Sequence, residues 1–446
     1  MKFIDDYRIE DFILATKWAD LVGDVQEHAV RCSVDLMGAL ILGSQGKQYH
    51  TGTKVAKRIG AVGDIPIFGQ ADTFNLLGAA ISFSHAANSF DIDDGHNMVK
   101  GHPGASFIGG VLAAALEKNC SYEEYLTTLV VCYETAIRWG LVEQQHYGFL
   151  HSTGTYGAFG TAAGVGRLEG LDKEELNNAL SISDYHAPLT PVMRAVEYPS
   201  MNKDGVPFGT LVGTMAVIET LEGETGKTHL LEMPEYSEYL DSLGKRWYIR
   251  ELYYKPYTCC RWAHQPIKAC IDLMRENKVK PEQVCHIYVH TFDSAAKLSK
   301  AVPHNTDEAQ YNIAFPVAAA VIHGDVGFNQ VKDEAVGDSG VLAMMERLSF
   351  VVDPEMEKQF PEKRLAWVEI ELLDGRLLKS AVYSAPGEHD DPKLNLEWIL
   401  HKFKRMTAPI LCLEGQEKIL KLLITCSKTP MREVIRVVNR YLTSEI

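Results

Sequence analysis

Residues 85–106, HAANSFDIDDGHNMVKGHPGAS, concentrate side chains able to move protons. Three aspartates (Asp91, Asp93, Asp94) and three histidines (His85, His96, His102) fall within eighteen residues. Apolar stretches flank them, FNLLGAAISF before and ASFIGGVLAAAL after. Titratable groups between two buried helices are costly to keep for packing alone, so the segment reads as an active-site loop. The aspartates admit three roles. They could ligate a divalent metal, act as acid and base with crowding that drives their pKa values apart, or cap helices and turns. The neighbouring sequence offers no second acidic cluster of similar density, which weakens the metal reading.

Other groups share this character. His102 precedes Pro103-Gly104 at the mouth of a helix, whose free N–H groups and dipole suit a ligand carboxylate. His151 opens HSTGTYGAFG in the same way. His96 reads as a loop residue and His85 as a hydrogen-bonded core histidine. Lys203, in PSMNKDGVPFG, is a surface lysine, an anion anchor or a base. Residues 255–264, KPYTCCRWAH, bring Lys255, Arg261 and His264 together beside Tyr253, Tyr254 and Tyr257, a plausible carboxylate-binding loop. Tyr311, in EAQYNIAF, could reach the same cleft. Two tempting patterns carry nothing. His286 and His290 share a strand face but lie about 13 Å apart, too far for one ion. The glycines of GTLVGTMAVIETLEG lack the dinucleotide-binding spacing.

These groups need a scaffold, and the first 240 residues supply helix after helix. Helical apolar spacing marks 9–21, 26–42, 73–87, 106–116, 122–141, 152–168, 173–183 and 208–222. Gly157, Gly160 and Gly164 form a stripe for close helix packing. Beyond about residue 280 the texture changes. Residues 284–291 alternate as a half-buried strand, and 368–383 read as a hairpin turning at Asp374-Gly375 through a type I′ turn. Helical patterns return at 394–406 and 415–442. The expectation is a mainly α chain, with a large helical domain (1–262 with 394–446) and a smaller α+β lid (263–393).

Composition narrows the class. The chain has 446 residues, 46% hydrophobic and 23% charged, enough for an ordered core. A net charge of −15 argues against sequence-independent binding to nucleic acid or anionic lipid. The N-terminus MKFIDDYRIEDF shows no secretory pattern, and no apolar run reaches membrane-spanning length. Nine cysteines without CxxC spacing read as reduced thiols, hence a cytoplasmic protein.

Taken together, the residues resemble the MmgE/PrpD superfamily of 2-methylcitrate dehydratases, cis-aconitate decarboxylases and iminodisuccinate epimerases. The H-A-x-x-x-x-D-x-D-D stretch leading to His102-Pro103 carries the likeness. The His151-Ser-Thr-Gly segment, the Lys203 loop, the run from Lys255 to His264 and the Gln310-Tyr311 pair extend it over nearly the whole chain. The resemblance implies a helical domain with an α+β lid, a homodimer, and catalysis without metal or organic cofactor. It places Asp91, His102, His151, Lys203 and Tyr311 in the active site, with His264 beside them; the reading of the residues adds Lys255, Arg261, Asp94 and His96 as substrate contacts. The expected chemistry is proton transfer beside a carboxylate of a small di- or tricarboxylic acid, by a dehydratase-type lyase. Epimerisation and decarboxylation are the alternatives, with a non-catalytic carboxylate-binding relative behind them. Gly95 stands where the decarboxylases carry threonine, which points away from cis-aconitate decarboxylation.

Overall fold

The structure is a computed structural model that describes residues 7–425 and 427–442. The reading of residues 1–6 as lacking a leader falls outside the described residues, as does Cys426. The chain is mainly helical, with one smaller α+β part, as its periodicity predicts.

Two strongly apolar helices, Leu76–Ala87 and Pro103–Glu117, pack against each other at the centre. Every residue from Pro103 to Leu116 is buried, so no polar face was required of the sequence. Helix Thr153–Glu169 crosses closely because its glycines leave room. A Cβ at Gly157 would lie 2.5 Å from the Ser106 side chain. Ser121 caps helix Tyr122–Tyr147, and Asp172 with Glu175 forms a capping box on helix Lys173–His186. Helix Lys47–Arg58 is not legible from apolar spacing because its sequence, KQYHTGTKVAKR, is largely polar.

The α+β part centres on a five-stranded sheet. Strand Val284–Thr291 lies between Leu348–Val352, which runs parallel to it, and Leu365–Leu372, which runs antiparallel. The short strands Leu377–Lys379 and Tyr383–Ser384 both pair with Leu365–Leu372. The hairpin turn differs from the expected type I′. Asp374 does not adopt positive φ; only Gly375 does, at 84°. Leu372 O accepts from Gly375 N, and Leu372 N donates to Arg376 O, so the loop has three residues and ends on a left-handed glycine.

After the sheet, the chain returns to the helical part. Helix Leu396–Thr407 packs on Gly23–Gly43, and helix Met431–Leu442 contacts helices Pro103–Glu117 and Tyr122–Tyr147. Buried Lys402 donates to Asp35 and, at 2.7 Å, to Ile92 O. That bond ties the C-terminal segment to the aspartate loop.

Candidate active site

The aspartate loop is ordered by a small ladder. Residues Asp94–His96 pair antiparallel with Leu252–Tyr254, joining two segments far apart in sequence. The acidic residues then face different surroundings. Asp94 turns inward, where its carboxylate accepts from Tyr133 OH and, at 3.0 Å, from Gly104 N. Burial raises Asp94 to about 7, against the pull of the Tyr133 hydrogen bond. Asp94 therefore caps helix Pro103–Glu117 and stands outside the wall of the cavity that Asp91 borders. The helix mouth offered in the sequence as a carboxylate site is filled from within.

Asp91 instead faces a cavity of about 380 Å³, at the small end for a ligand site. Its backbone is left-handed, with φ 49°. A non-glycine residue held this way stores strain that the surroundings must repay, and such residues gather at functional sites. Lys255 does part of that work, with its ammonium 2.6 Å from Asp91 Oδ1 and 3.1 Å from Asp91 O.

His102 also faces the cavity, with 12% of its side chain exposed there. Its Nδ1 lies 3.1 Å from Asp93 Oδ2 and 3.1 Å from Asp94 O. Its Nε2 faces Asp91 Oδ1 at 3.8 Å and Asp204 Oδ2 at 3.7 Å. Burial and Lys255 both disfavour the imidazolium, yet Asp93 and Asp204 outweigh them and raise His102 to about 9. Asp93 responds in the opposite sense. Burial favours its protonated form, while His102 and Lys255 hold the carboxyl below the usual range.

Asp204 was not singled out in the sequence, although its neighbour Lys203 was. Gly154 N, at the start of helix Thr153–Glu169, donates to Asp204 O at 2.7 Å and fixes the residue. Tyr311 OH donates to Asp204 Oδ2 at 2.9 Å. Burial and the Asp204 charge keep that phenol protonated.

The remaining candidates fall into two groups. Arg261, Tyr253 and His96 border the cavity with Asp91 and His102. His96 is buried; desolvation lowers it to about 3, leaving a neutral ring edge-on to Tyr248. Lys203, His151 and His264 are not in the wall. Lys203 donates to Asn88 O, Ser89 O and Gln310 Oε1 at 3.1, 2.6 and 2.7 Å, so it braces the aspartate loop from behind. His151 faces buried Glu143, while Leu150 beside it borders the cavity. His264 Nε2 bonds Cys259 O at 3.0 Å, and burial with Arg261 holds it well below its ordinary pKa. His85 behaves as a core histidine, bonded to Ile81 O.

One atom each of Asp91, His102 and Asp204 lies within 4.8 Å of the others, a spacing that could hold a metal ion. Lys255 already supplies a positive charge against Asp91. Gly95 is packed shut, since a Cβ there would lie 2.2 Å from Tyr253 Cζ. A threonine at this position would displace the Tyr253 ring.

The MmgE/PrpD N-terminal domain matches residues 7–243, and the MmgE/PrpD C-terminal domain matches residues 257–427. The chain belongs to the MmgE/PrpD family. The cis-aconitate decarboxylase-like protein oryM of Aspergillus oryzae is 22% identical over 92% of both chains. A cis-aconitate decarboxylase of Aspergillus terreus is 21% identical over 93% of this chain and 92% of its own. The cavity is thus built from segments of both MmgE/PrpD domains: Asp91, His102 and Asp204 from the first, Arg261 and Tyr311 from the second. Lys255 sits in the short link between them.

Proposed function

We propose that this protein is a lyase of the dehydratase type, acting by proton transfer beside a carboxylate of a small di- or tricarboxylic acid. The observation that carries the reading is His102, set among the carboxylates of Asp91, Asp93 and Asp204, which favour its protonated form, with Nε2 turned to the cavity. Asp204, steered by Tyr311, takes the proton from the carbon next to the carboxylate. The electron pair left behind forms the new double bond as hydroxide leaves the adjacent carbon. His102 gives that hydroxide its proton, and water departs. Acid and base stand 3.7 Å apart on one wall, so proton and hydroxide leave from the same face. Lys255 offsets charge gathering on the carboxylate oxygens, most effectively in a cavity with little water.

The same groups serve a decarboxylation, in which carbon dioxide leaves and His102 protonates the carbanion. The names of the Aspergillus relatives favour that second reading. An epimerisation would return the proton to the opposite face. Incubation with 2-methylcitrate, citrate, cis-aconitate and iminodisuccinate in deuterated water tests all three. Deuterium entering at carbon, or a new product, is expected; inertness toward all four would sink the proposal.

A homodimer belongs to the proposal. Helix Val206–Leu221 leaves an apolar stripe toward solvent, with Phe208 63% exposed and Leu211, Val212, Met215 and Ile218 half-buried. A second copy would cover it. Light scattering from the purified protein should give twice the chain mass, and a monomer would overturn this part. We place the protein in the cytoplasm, where its described cysteines, all unpaired, stay reduced. Cell fractionation should find it in the soluble cytosolic fraction.

A further inference from the structure

The cavity has two electrically different ends. Around His102 stand two cations, His102 and Lys255, against three carboxylates, Asp91, Asp93 and Asp204. Toward Tyr253 the balance reverses. Lys100, Arg261 and Arg364 line the cavity there, and Glu388 is the carboxylate that pairs with Arg261. Arg261 also lies over the Tyr253 ring, 3.8 Å from its centroid. Among the described residues, Lys100 and Arg364 make no ion pair.

Arg364 is positioned without being satisfied. Its Nη1 donates to Asn97 Oδ1 at 2.7 Å, and its carbonyl accepts from Gln265 Nε2 at 3.0 Å. Asn97 is held in turn, donating to Glu388 Oε2 at 2.9 Å. A guanidinium has five N–H donors, so most of the fork remains for a ligand. Lys100 sits on left-handed backbone, φ 58°, and burial first, then the nearby Arg364 charge, hold the lysine below its ordinary pKa, with Glu362 opposing them. Two partly desolvated like charges beside a cavity are an unfavourable arrangement until an anion joins them.

We propose that Lys100 and Arg364 form an anchor for a second carboxylate of the substrate, remote from the reacting carbon, with Arg261 already neutralised by Glu388. The inference rests on the functional reading above and sharpens it. The substrate must carry at least two carboxylates, one presented to His102 and Lys255 and one to the Arg364 fork. Planar bidentate pairing makes Arg364 the main contributor. Lys100 is read as its electrostatic support.

Calorimetry with propane-1,2,3-tricarboxylate and with butyrate tests the anchor, because the first ligand offers a remote carboxylate and the second does not. The wild-type protein should bind the tricarboxylate at least about tenfold more tightly. R364Q should lose about tenfold or more for the tricarboxylate while butyrate is unchanged. R364K should fall between, since it keeps the charge but loses the fork. K100Q tests the same point should R364Q fail to fold, with a smaller loss in the same direction. A wild-type protein with no preference, or variants that weaken both ligands equally, would overturn the anchor. Deuterium exchange in the wild-type protein reports on the parent reading separately. Exchange with unchanged selectivity in R364Q removes the anchor alone, whereas selectivity without exchange removes the lyase and leaves an anion-binding cavity.

Discussion

His102 Nδ1 lies 3.1 Å from Asp93 Oδ2, and this contact decides which ring nitrogen meets the substrate. With Nδ1 engaged, Nε2 is left for the cavity, and the Asp93 charge helps keep the ring protonated. A group raised to about 9 works as an acid at neutral pH. Activity that needs the imidazolium should hold through neutral pH and decline as pH rises through about 9. D93N removes one of the carboxylates that stabilise the proton, so the declining limb should move to lower pH. A pH profile of kcat/KM checks this, and an unmoved limb would separate His102 from the acid step.

Asp91 and Lys255 form a buried pair at 2.6 Å. Removing one partner leaves the other charge without its neighbour. D91N and K255M should each destabilise the protein by roughly 3–5 kcal/mol in denaturant titrations. The double variant should recover part of that loss, since two buried charges vanish together, yet it should remain inactive. Additive losses in the double variant would show that the two groups are not coupled.

Lys203 and His102 should fail in different ways. H102Q removes the proton donor from the cavity wall, so turnover should fall by at least about a hundredfold, while the glutamine amide can still donate toward Asp93 and keeps the loss of Tm smaller than in K203A. K203A removes the ammonium that gathers Asn88 O, Ser89 O and Gln310 Oε1 and stands 3.3 Å from Asp307 Oδ1, so Gln310 Oε1 loses its donor and Asp307 its neighbouring cation. Its Tm should drop along with turnover. An unaltered Tm in K203A with lost activity would move Lys203 back among the groups that touch substrate.

Local signals in the sequence carried the helices and the His102 position, because helical spacing and a Pro at a helix start are properties of neighbouring residues. Strand Val284–Thr291 was legible for the same reason. Which of three close aspartates faces the cavity had no local signal, and only the family resemblance singled out Asp91, since the arrangement depends on pairing with Leu252–Tyr254, more than 150 residues away. Nor did the Lys203-Asp204 pair reveal its division of labour. Lys203 adopts φ 28°, and this turn sends the lysine behind the loop while Asp204 meets Tyr311. Arg364 carries no local motif at all. His264 had the right type and neighbours, yet it begins helix His264–Glu276 turned toward Cys259 O.

The cluster of Asp91, His102 and Asp204 makes chelation a decisive measurement. Three ligand atoms within 4.8 Å would suit a divalent ion bound through one histidine and two carboxylates. Two features oppose it. Lys255 stands 2.6 Å from Asp91, where its ammonium competes with an ion for the same oxygen. His102 is raised to about 9, and a metal requires the imidazole to surrender its proton. Both features suit a site whose positive charge comes from side chains. Prolonged EDTA treatment and desalting should therefore leave turnover within about twofold, and added zinc should inhibit by displacing the proton from His102. Loss of activity restored by one particular metal would instead make Asp91, His102 and Asp204 ligands, and would transfer the charge-offsetting role from Lys255 to the ion.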